Sequence, residues 1–108
     1  MINKAALLRL SKVKPKFQLG ALVMTRSVSE LMSDSDFHPV HYVARHVRGD
    51  WGDLSDDSKL QNEEHLANGG RLLSSYNVSL ANSPEVEKIW VITEHDRSVT
   101  TILLPSDY

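Results

Sequence analysis

Two groups of charged side chains are the parts of this sequence whose residue types and spacing could do chemistry. The first lies between Asp50 and Glu64, where six carboxylates and one lysine give a net charge of −5. The second is a short polar run that holds Glu94, Asp96 and Arg97. Paired carboxylates can hold a magnesium ion for phosphodiester cleavage, form an acidic face for a basic partner, or cap a helix in solvent. We favour capping for the first group, because several of its carboxylates fall in the first turn of a predicted helix.

Six residues of these groups form a candidate binding site. The alternative function is that of an enzyme whose catalytic groups are carboxylates. The binding residues are Asp50, Trp51, Asp53, Glu94, Asp96 and Arg97. In the alternative, a small hydrolase or nuclease draws its site from Asp50, Asp53, Glu94 and Asp96, helped by His95. A catalytic site needs these side chains to converge in a pocket, whereas a binding protein presents them over a flat or convex face. We assign no catalytic residue.

Trp51 is one of only two tryptophans and lies in a polar loop between two glycine-containing turns. A tryptophan in this setting is either a plug on the core or an exposed anchor for a partner, and we favour the plug. Arg97 could pair with Asp50 or Asp53 across the fold. Such an ion pair would join the Trp51 loop to the loop that contains Arg97 without any catalysis.

The five histidines and the lack of cysteine restrict metal and redox chemistry. His38 and His41 are three positions apart and could share one helical face as metal ligands, with Asp34 or Asp36 as a third. No third ligand is evident from the spacing, so we interpret both histidines as solvated and assign no metal. The lack of cysteine excludes disulfides, Cys-ligated metals and a Cys nucleophile. No glycine pattern of a phosphate-binding loop is present, and we expect no cofactor.

The charge is unevenly distributed along the 108 residues, whose formal net charge is −2. Residues 1–16 carry a charge of +5 with no acid, whereas residues 17–108 carry −7. We therefore divide the chain into a basic N-terminal tail or short helix (1–16) and a single domain (17–108). The tail lacks the aromatic side chains that stack on bases, so it predicts at most a weak nucleic-acid contact. The residues of that contact are Lys4, Arg9, Lys12, Lys14 and Lys16.

Capping residues and apolar spacing predict three short helices after a first strand at 17–25. Ser27 and Glu30 form a capping box for a helix over 28–33. Apolar residues at offsets 0, 3, 4 and 7 predict a second helix over 37–48, which Gly49 ends in left-handed geometry. Ser55 caps a third helix, which ends at 69–70. Because this third helix has few apolar residues, we expect it to lie on the surface.

From residue 71 onward the pattern changes to three strands, at 71–78, 88–93 and 99–104, the last two joined as a hairpin. Both faces of the 88–93 strand are apolar, which indicates a central strand covered by helices. The sequence thus predicts an α+β domain, with an antiparallel sheet of about four strands and the order β-α-α-α-β-β-β. The strand at 99–104 is the expected dimer edge, and the protein is a monomer or a homodimer.

Three segments occur in an order that is similar to a family of small bacterial proteins: Gly49–Leu54, Gly70–Tyr76 and Lys88–Ser98. The ending Thr100–Tyr108 matches as well, so the resemblance covers about residues 17–108. This family is carried on plasmids and other mobile elements, under labels such as plasmid-related protein or type I restriction methylase subunit. The resemblance implies membership but no established activity. A methyltransferase is rejected, because it needs a glycine-rich cofactor turn and a much larger domain.

These observations favour a small non-catalytic accessory protein of mobile elements over the carboxylate enzyme. We expect it to bind a protein partner, or nucleic acid, through the Trp51 loop and the acidic third helix. The longest apolar runs fall well short of the roughly 18 to 20 residues that span a bilayer. We therefore expect a cytoplasmic protein that does not contact a membrane.

Overall fold

The computed structural model describes residues 14–34 and 37–108. These residues form four strands, three α-helices and a final 3₁₀ turn at Pro105–Asp107. The elements in chain order are β1 (Ala21–Met24), α1 (Arg26–Asp34), α2 (Pro39–Val47), α3 (Asp56–Asn68), β2 (Leu72–Asn77), β3 (Lys88–Thr93) and β4 (Val99–Leu103). The α+β class and the β-α-α-α-β-β-β order are confirmed.

The four strands form one mixed sheet in the order β1-β4-β3-β2. β3 is central and antiparallel to both β2 and β4, as the sequence predicts. β1 instead lies parallel to β4, so the expectation of a wholly antiparallel sheet is wrong at this strand. No hairpin joins β1 to β4, and the long connection through three helices leaves its direction free. β4 is flanked on both sides, so the edges are β1 and β2, and the dimer edge expected at 99–104 is wrong.

One face of the sheet carries the main core, under α1 and α2. Alternate residues of the strands point to this face and meet apolar side chains of the two helices. The buried cluster comprises Val28, Leu31, Phe37, Val43, Tyr76, Ile89, Val91 and Ile102. On the opposite face, Ile92 and Leu103 are also buried, and Tyr108 lies edge-on to Trp90 at 5.7 Å between ring centroids. Both faces of β3 are therefore apolar and covered.

The predicted cap of the third helix is confirmed, and the second helix begins two residues after its predicted start at 37. Pro39 begins α2, and the Ser55 hydroxyl caps α3 by accepting from the Ser58 N–H at 3.2 Å. Gly69 follows the end of α3 with a φ of 88°. The predicted surface position of α3 is confirmed, since Asn62 is its one buried residue.

The predicted capping box of α1 is wrong, because its two residues bond elsewhere. Glu30 pairs with Arg26, and the Ser27 hydroxyl donates to the Asp107 carboxylate at 2.9 Å. Asp107 also accepts from the Thr25 hydroxyl at 2.7 Å. A carboxylate from the far end of the chain thus lies at the start of α1, where the helix dipole favours negative charge.

The first strand is shorter than predicted. Residue 16 donates its backbone N–H to Val47 at 2.8 Å, and the chain reaches the sheet only at Ala21. Lys14 and Lys16 are exposed, whereas the other basic residues of the predicted tail, at positions 4, 9 and 12, lie outside the described residues. None of the helices in the described part of the chain has the length and apolar character that spanning a membrane requires.

Candidate protein-binding surface

The six predicted binding residues divide into two groups beside β2. The backbone of Trp51 and Asp53 bonds to Ser75, while Glu94 pairs with Arg71 at the start of the same strand. Residues 71 and 75 are four strand positions apart, which is about 13 Å. The carboxylates of the two groups therefore do not converge.

Asp50 holds the turn that follows α2. Its carboxylate accepts from Arg45 Nε at 2.7 Å and from the Gly52 N–H at 3.2 Å, and its carbonyl accepts from the Tyr76 hydroxyl at 2.6 Å. The hydrogen bond from Arg45 lowers the pKa of the Asp50 carboxyl, while burial raises the pKa of the Tyr76 phenol. Each polar group of Asp50 is therefore engaged in closing the loop.

Trp51 is the plug that we favoured, with 5% of its surface exposed. Its ring is stacked on Phe17 at 6.2 Å and lies edge-on to His46 at 5.8 Å. Its Nε1–H donates to Glu63 on α3 at 3.1 Å. Because the indole is enclosed, it is not available as an exposed anchor for a partner.

Arg97 does not pair with Asp50 or Asp53, so that expectation is wrong. Asp53 instead binds Lys88 at 2.6 Å, a hydrogen bond that lowers the pKa of the Asp53 carboxyl. The Arg97 guanidinium donates to the carbonyl oxygens of Gly70 at 2.6 Å and His65 at 3.0 Å, at the end of α3. The His65 carbonyl also accepts from the Gly69 N–H at 2.9 Å, and the dipole of the helix favours a cation at this end.

The expected connection between the Trp51 loop and the β3–β4 hairpin does exist, but an aromatic ring makes it. Phe17 lies against Trp51 on one side, and the Arg97 guanidinium lies 5.8 Å from the centre of the Phe17 ring. This connection replaces the predicted ion pair.

The other two members of the hairpin group also have structural roles. Glu94 pairs with Arg71 at 3.2 Å. Asp96 accepts from both the hydroxyl and the N–H of Ser98, and the hydroxyl bond lowers the pKa of the Asp96 carboxyl. His95 is exposed beside it. Within residues 14–34 and 37–108, no group of three or more acidic or histidine side chains could hold a metal ion.

His46, to which the sequence analysis gave no role, is at the centre of a buried polar chain. Its Nδ1 lies 2.5 Å from the Ser74 hydroxyl, and its Nε2 lies 2.9 Å from the Thr93 hydroxyl. Thr93 is 2.7 Å from the Thr100 hydroxyl, which donates to the Leu19 carbonyl at 2.7 Å. The four side chains of this hydrogen-bond chain are all buried.

The final carbonyl sets the direction of every bond in this chain. Because the carbonyl can only accept, Thr100 donates to it, and Thr93 must then donate to Thr100. The Thr93 hydroxyl has no second proton, so His46 Nε2–H is the donor and Nδ1 accepts from Ser74. A serine donating to a histidine is also the geometry of an activated nucleophile. Both groups are inaccessible here, and burial, followed by the charge of Arg97, lowers the pKa of His46 to about 3.

An open cavity lies at the end of the sheet where β3 begins and β4 ends. It has a volume of about 460 Å³ and is formed by two segments, Glu85–Lys88 and Leu104–Ser106. Val86, Leu104 and Pro105 give it an apolar wall, while Glu85 and Glu87 are exposed. We call this site the Val86 groove. The sequence analysis gave residues 80–87 no function.

A second cavity of about 210 Å³ lies between α3 and β2. Polar side chains dominate its lining, among them Ser58, Gln61 and His65. His65 Nδ1 already contacts the Arg71 carbonyl at 2.8 Å, and Arg71 binds Glu94. His65 in this cavity therefore joins α3 to the start of the sheet.

No protein family, no curated protein and no solved structure matches the chain.

Proposed function

We propose that the protein is a small non-catalytic interaction protein that binds a protein partner through the Val86 groove. The observation that carries the proposal is an apolar concavity of about 460 Å³ with two exposed carboxylates, Glu85 and Glu87. Concave apolar sites with a few charged groups are the usual form of a binding site. The resemblance to plasmid-borne proteins supports an accessory role in mobile elements as the setting of this function.

The charges around the groove define the partner. Lys88 also lines it, but the Lys88 ammonium binds Asp53 at 2.6 Å, which leaves Glu85 and Glu87 as the uncompensated charges there. The folded part of the chain is acidic as a whole, with −7 over residues 17–108. We therefore propose an occupant in which an apolar side chain stands next to a lysine or arginine.

The groove replaces the Trp51 loop as the proposed contact surface. Trp51 is enclosed, and both Asp50 and Asp53 already bind a cation of this chain. A partner at that loop would have to break those bonds before it formed its own. At the groove, by contrast, the apolar wall and the two carboxylates need no rearrangement to receive a ligand.

A display experiment with random peptides tests the proposal without knowledge of the natural partner. The purified protein is used to select peptides, and their affinities are measured by calorimetry for the wild type, for Glu87→Lys and for Glu64→Lys. Glu64 is exposed on α3, away from the groove, so Glu64→Lys carries the same charge change. We expect selected peptides to combine an apolar and a basic residue, and Glu87→Lys to weaken their binding about tenfold.

The control distinguishes local contact from general charge. If Glu64→Lys weakens binding as much as Glu87→Lys, the peptides respond to net charge and the groove is not their site. If selection yields no peptide, or if a labelled oligonucleotide binds at physiological salt and displaces the peptides, the proposal is wrong. A nucleic-acid partner would show a steep loss of affinity with salt.

A further inference from the structure

The two edges of the sheet are treated differently by the fold. An unpaired strand edge presents rows of N–H and C=O groups, to which another chain can add a strand. One edge of this sheet, β2, is closed by side chains and by a loop. The other, β1, has no such cover from the described residues.

The β2 edge is closed at successive outward positions. The Asn62 amide accepts from the Leu73 N–H at 3.1 Å and donates to the Leu73 carbonyl at 2.7 Å, as a neighbouring strand would. At Ser75, the N–H donates to the Trp51 carbonyl and the carbonyl accepts from the Asp53 N–H. The outward backbone groups of Leu73 and Ser75 are therefore satisfied within the chain.

β1 has the opposite character. The N–H groups of Ala21 and Thr25 donate to β4. Because backbone groups alternate along a strand, the N–H and C=O groups of Leu22 and Met24 point away from β4, toward the open edge. No described residue pairs with that outer side, because α1 turns back over β4. Charged side chains and proline usually protect a strand edge from pairing with another chain. Residues 17–25 contain neither. Val23 is 44% exposed on the face opposite the main core.

We propose that β1 is a self-association surface that pairs antiparallel with β1 of a second copy across a two-fold axis. Pairing with Val23 at the axis matches Leu22 of each copy to Met24 of the other, so both outward residues exchange hydrogen bonds. This register brings the two Val23 side chains together, because residues at a non-hydrogen-bonded position lie closest. An uncharged strand suits this partner, since a charge near the axis would face its own copy.

Sedimentation velocity over a range of concentrations tests the proposal with a pair of charge variants. The wild type should form a dimer, whereas Val23→Lys and Val23→Glu should each be at least tenfold weaker in self-association, because like charges meet at the axis. A mixture of the two variants should recover the dimer, because each lysine then faces a glutamate. Leu60→Lys is the matched control: Leu60 is 60% exposed on α3, and this substitution should leave the dimer unchanged.

Each outcome decides the proposal. A wild type that remains monomeric at several hundred micromolar overturns it, and so does a dimer that persists in Val23→Lys. Recovery of the dimer only on mixing supports the register, whereas two monomeric variants that stay monomeric on mixing overturn it. Glu87→Lys should dimerise normally, so failure here is separate from failure of the proposed function of the Val86 groove.

Discussion

Replacing Thr93 by valine should destabilise the protein by about 2 kcal/mol, because it breaks the hydrogen-bond chain of His46 at its centre. Valine keeps the shape of threonine and removes the hydroxyl that accepts from Nε2–H. His46 and Thr93 are both fully buried, so water cannot replace the lost partner. A change of tautomer does not help, because His46 could then donate to Ser74 but would leave its Nε2 lone pair against a methyl group.

The magnitude follows from one buried polar group without a partner. Such a group costs about 1 to 3 kcal/mol, and the added methyl returns a part of this as apolar burial. Thr100 keeps its bond to the Leu19 carbonyl, so no second group is lost at that end. A net loss of about 2 kcal/mol lowers the ratio of folded to unfolded protein about thirtyfold.

Urea unfolding of Thr93→Val and Thr101→Val checks this value. Thr101 is on the neighbouring strand and points to the opposite, partly exposed face, and its hydroxyl bonds to no described residue. We expect Thr101→Val to change the free energy of unfolding by less than about 0.5 kcal/mol. Equal effects of the two substitutions would show that the buried chain contributes nothing specific, and the derivation of its direction would lose its basis.

Three further predictions concern pH, the end of α3 and a glycine turn. The depressed pKa of His46, about 3 against 6.5, means that the unfolded chain takes up a proton between these values that the folded chain does not. Stability is therefore retained above pH 6.5 and is lost as the pH falls below it. The free energy of unfolding of the wild type should fall by about 2 kcal/mol from pH 7 to pH 5. His46→Gln should not show this loss, once the titration common to both proteins is subtracted. Arg97→Ala should lower the free energy of unfolding in urea by about 2 kcal/mol. It should also reduce the hydrogen-exchange protection of the Gly69 amide, which bonds to His65. Unchanged exchange would contradict the capping role of Arg97. Gly52→Ala should be far more destabilising than Gly69→Ala in thermal unfolding. Both residues have positive φ, but only the new Cβ at Gly52 would collide with the Ser75 carbonyl. Equal losses would show that the backbone conformation alone matters.

The parts of the fold that short-range patterns control were predicted from the sequence. Ser55 marks the start of α3, and the 99–103 strand follows a polar hairpin loop as predicted. Each of these signals acts over a few residues, which the sequence shows directly. The parallel pairing of β1 with β4 depends on residues about 80 positions apart, so no local pattern indicates it.

The candidate site shows the same division more sharply. That Trp51 closes the core was predicted from its loop, whereas the partners of Asp50, Asp53 and Arg97 were not. Each of these charges had several possible partners of opposite sign, and the local sequence does not select among them. Asp50 binds Arg45 and Asp53 binds Lys88, whereas Arg97 binds backbone carbonyls. His46 had no signal at all, because a lone histidine on a short helix is most often solvated. Its burial depends on Ser74 of β2 and Thr93 of β3, whose hydroxyls lie within hydrogen-bond distance of the His46 ring.

Several of the charged residues that cluster in the sequence therefore have structural partners in this protein. A small sheet has two edges and several helix ends, each with backbone groups that need partners, and side chains such as Asn62 and Arg97 supply them. Within the candidate site, Asp50, Asp53 and Glu94 are likewise bound to cations of this chain. Two surfaces combine apolar side chains with groups that have no such partner among the described residues, namely the Val86 groove and the outer side of β1. One proposal rests on an apolar wall beside two carboxylates and the other on an uncharged strand, so a charge substitution changes each surface directly and tests each proposal.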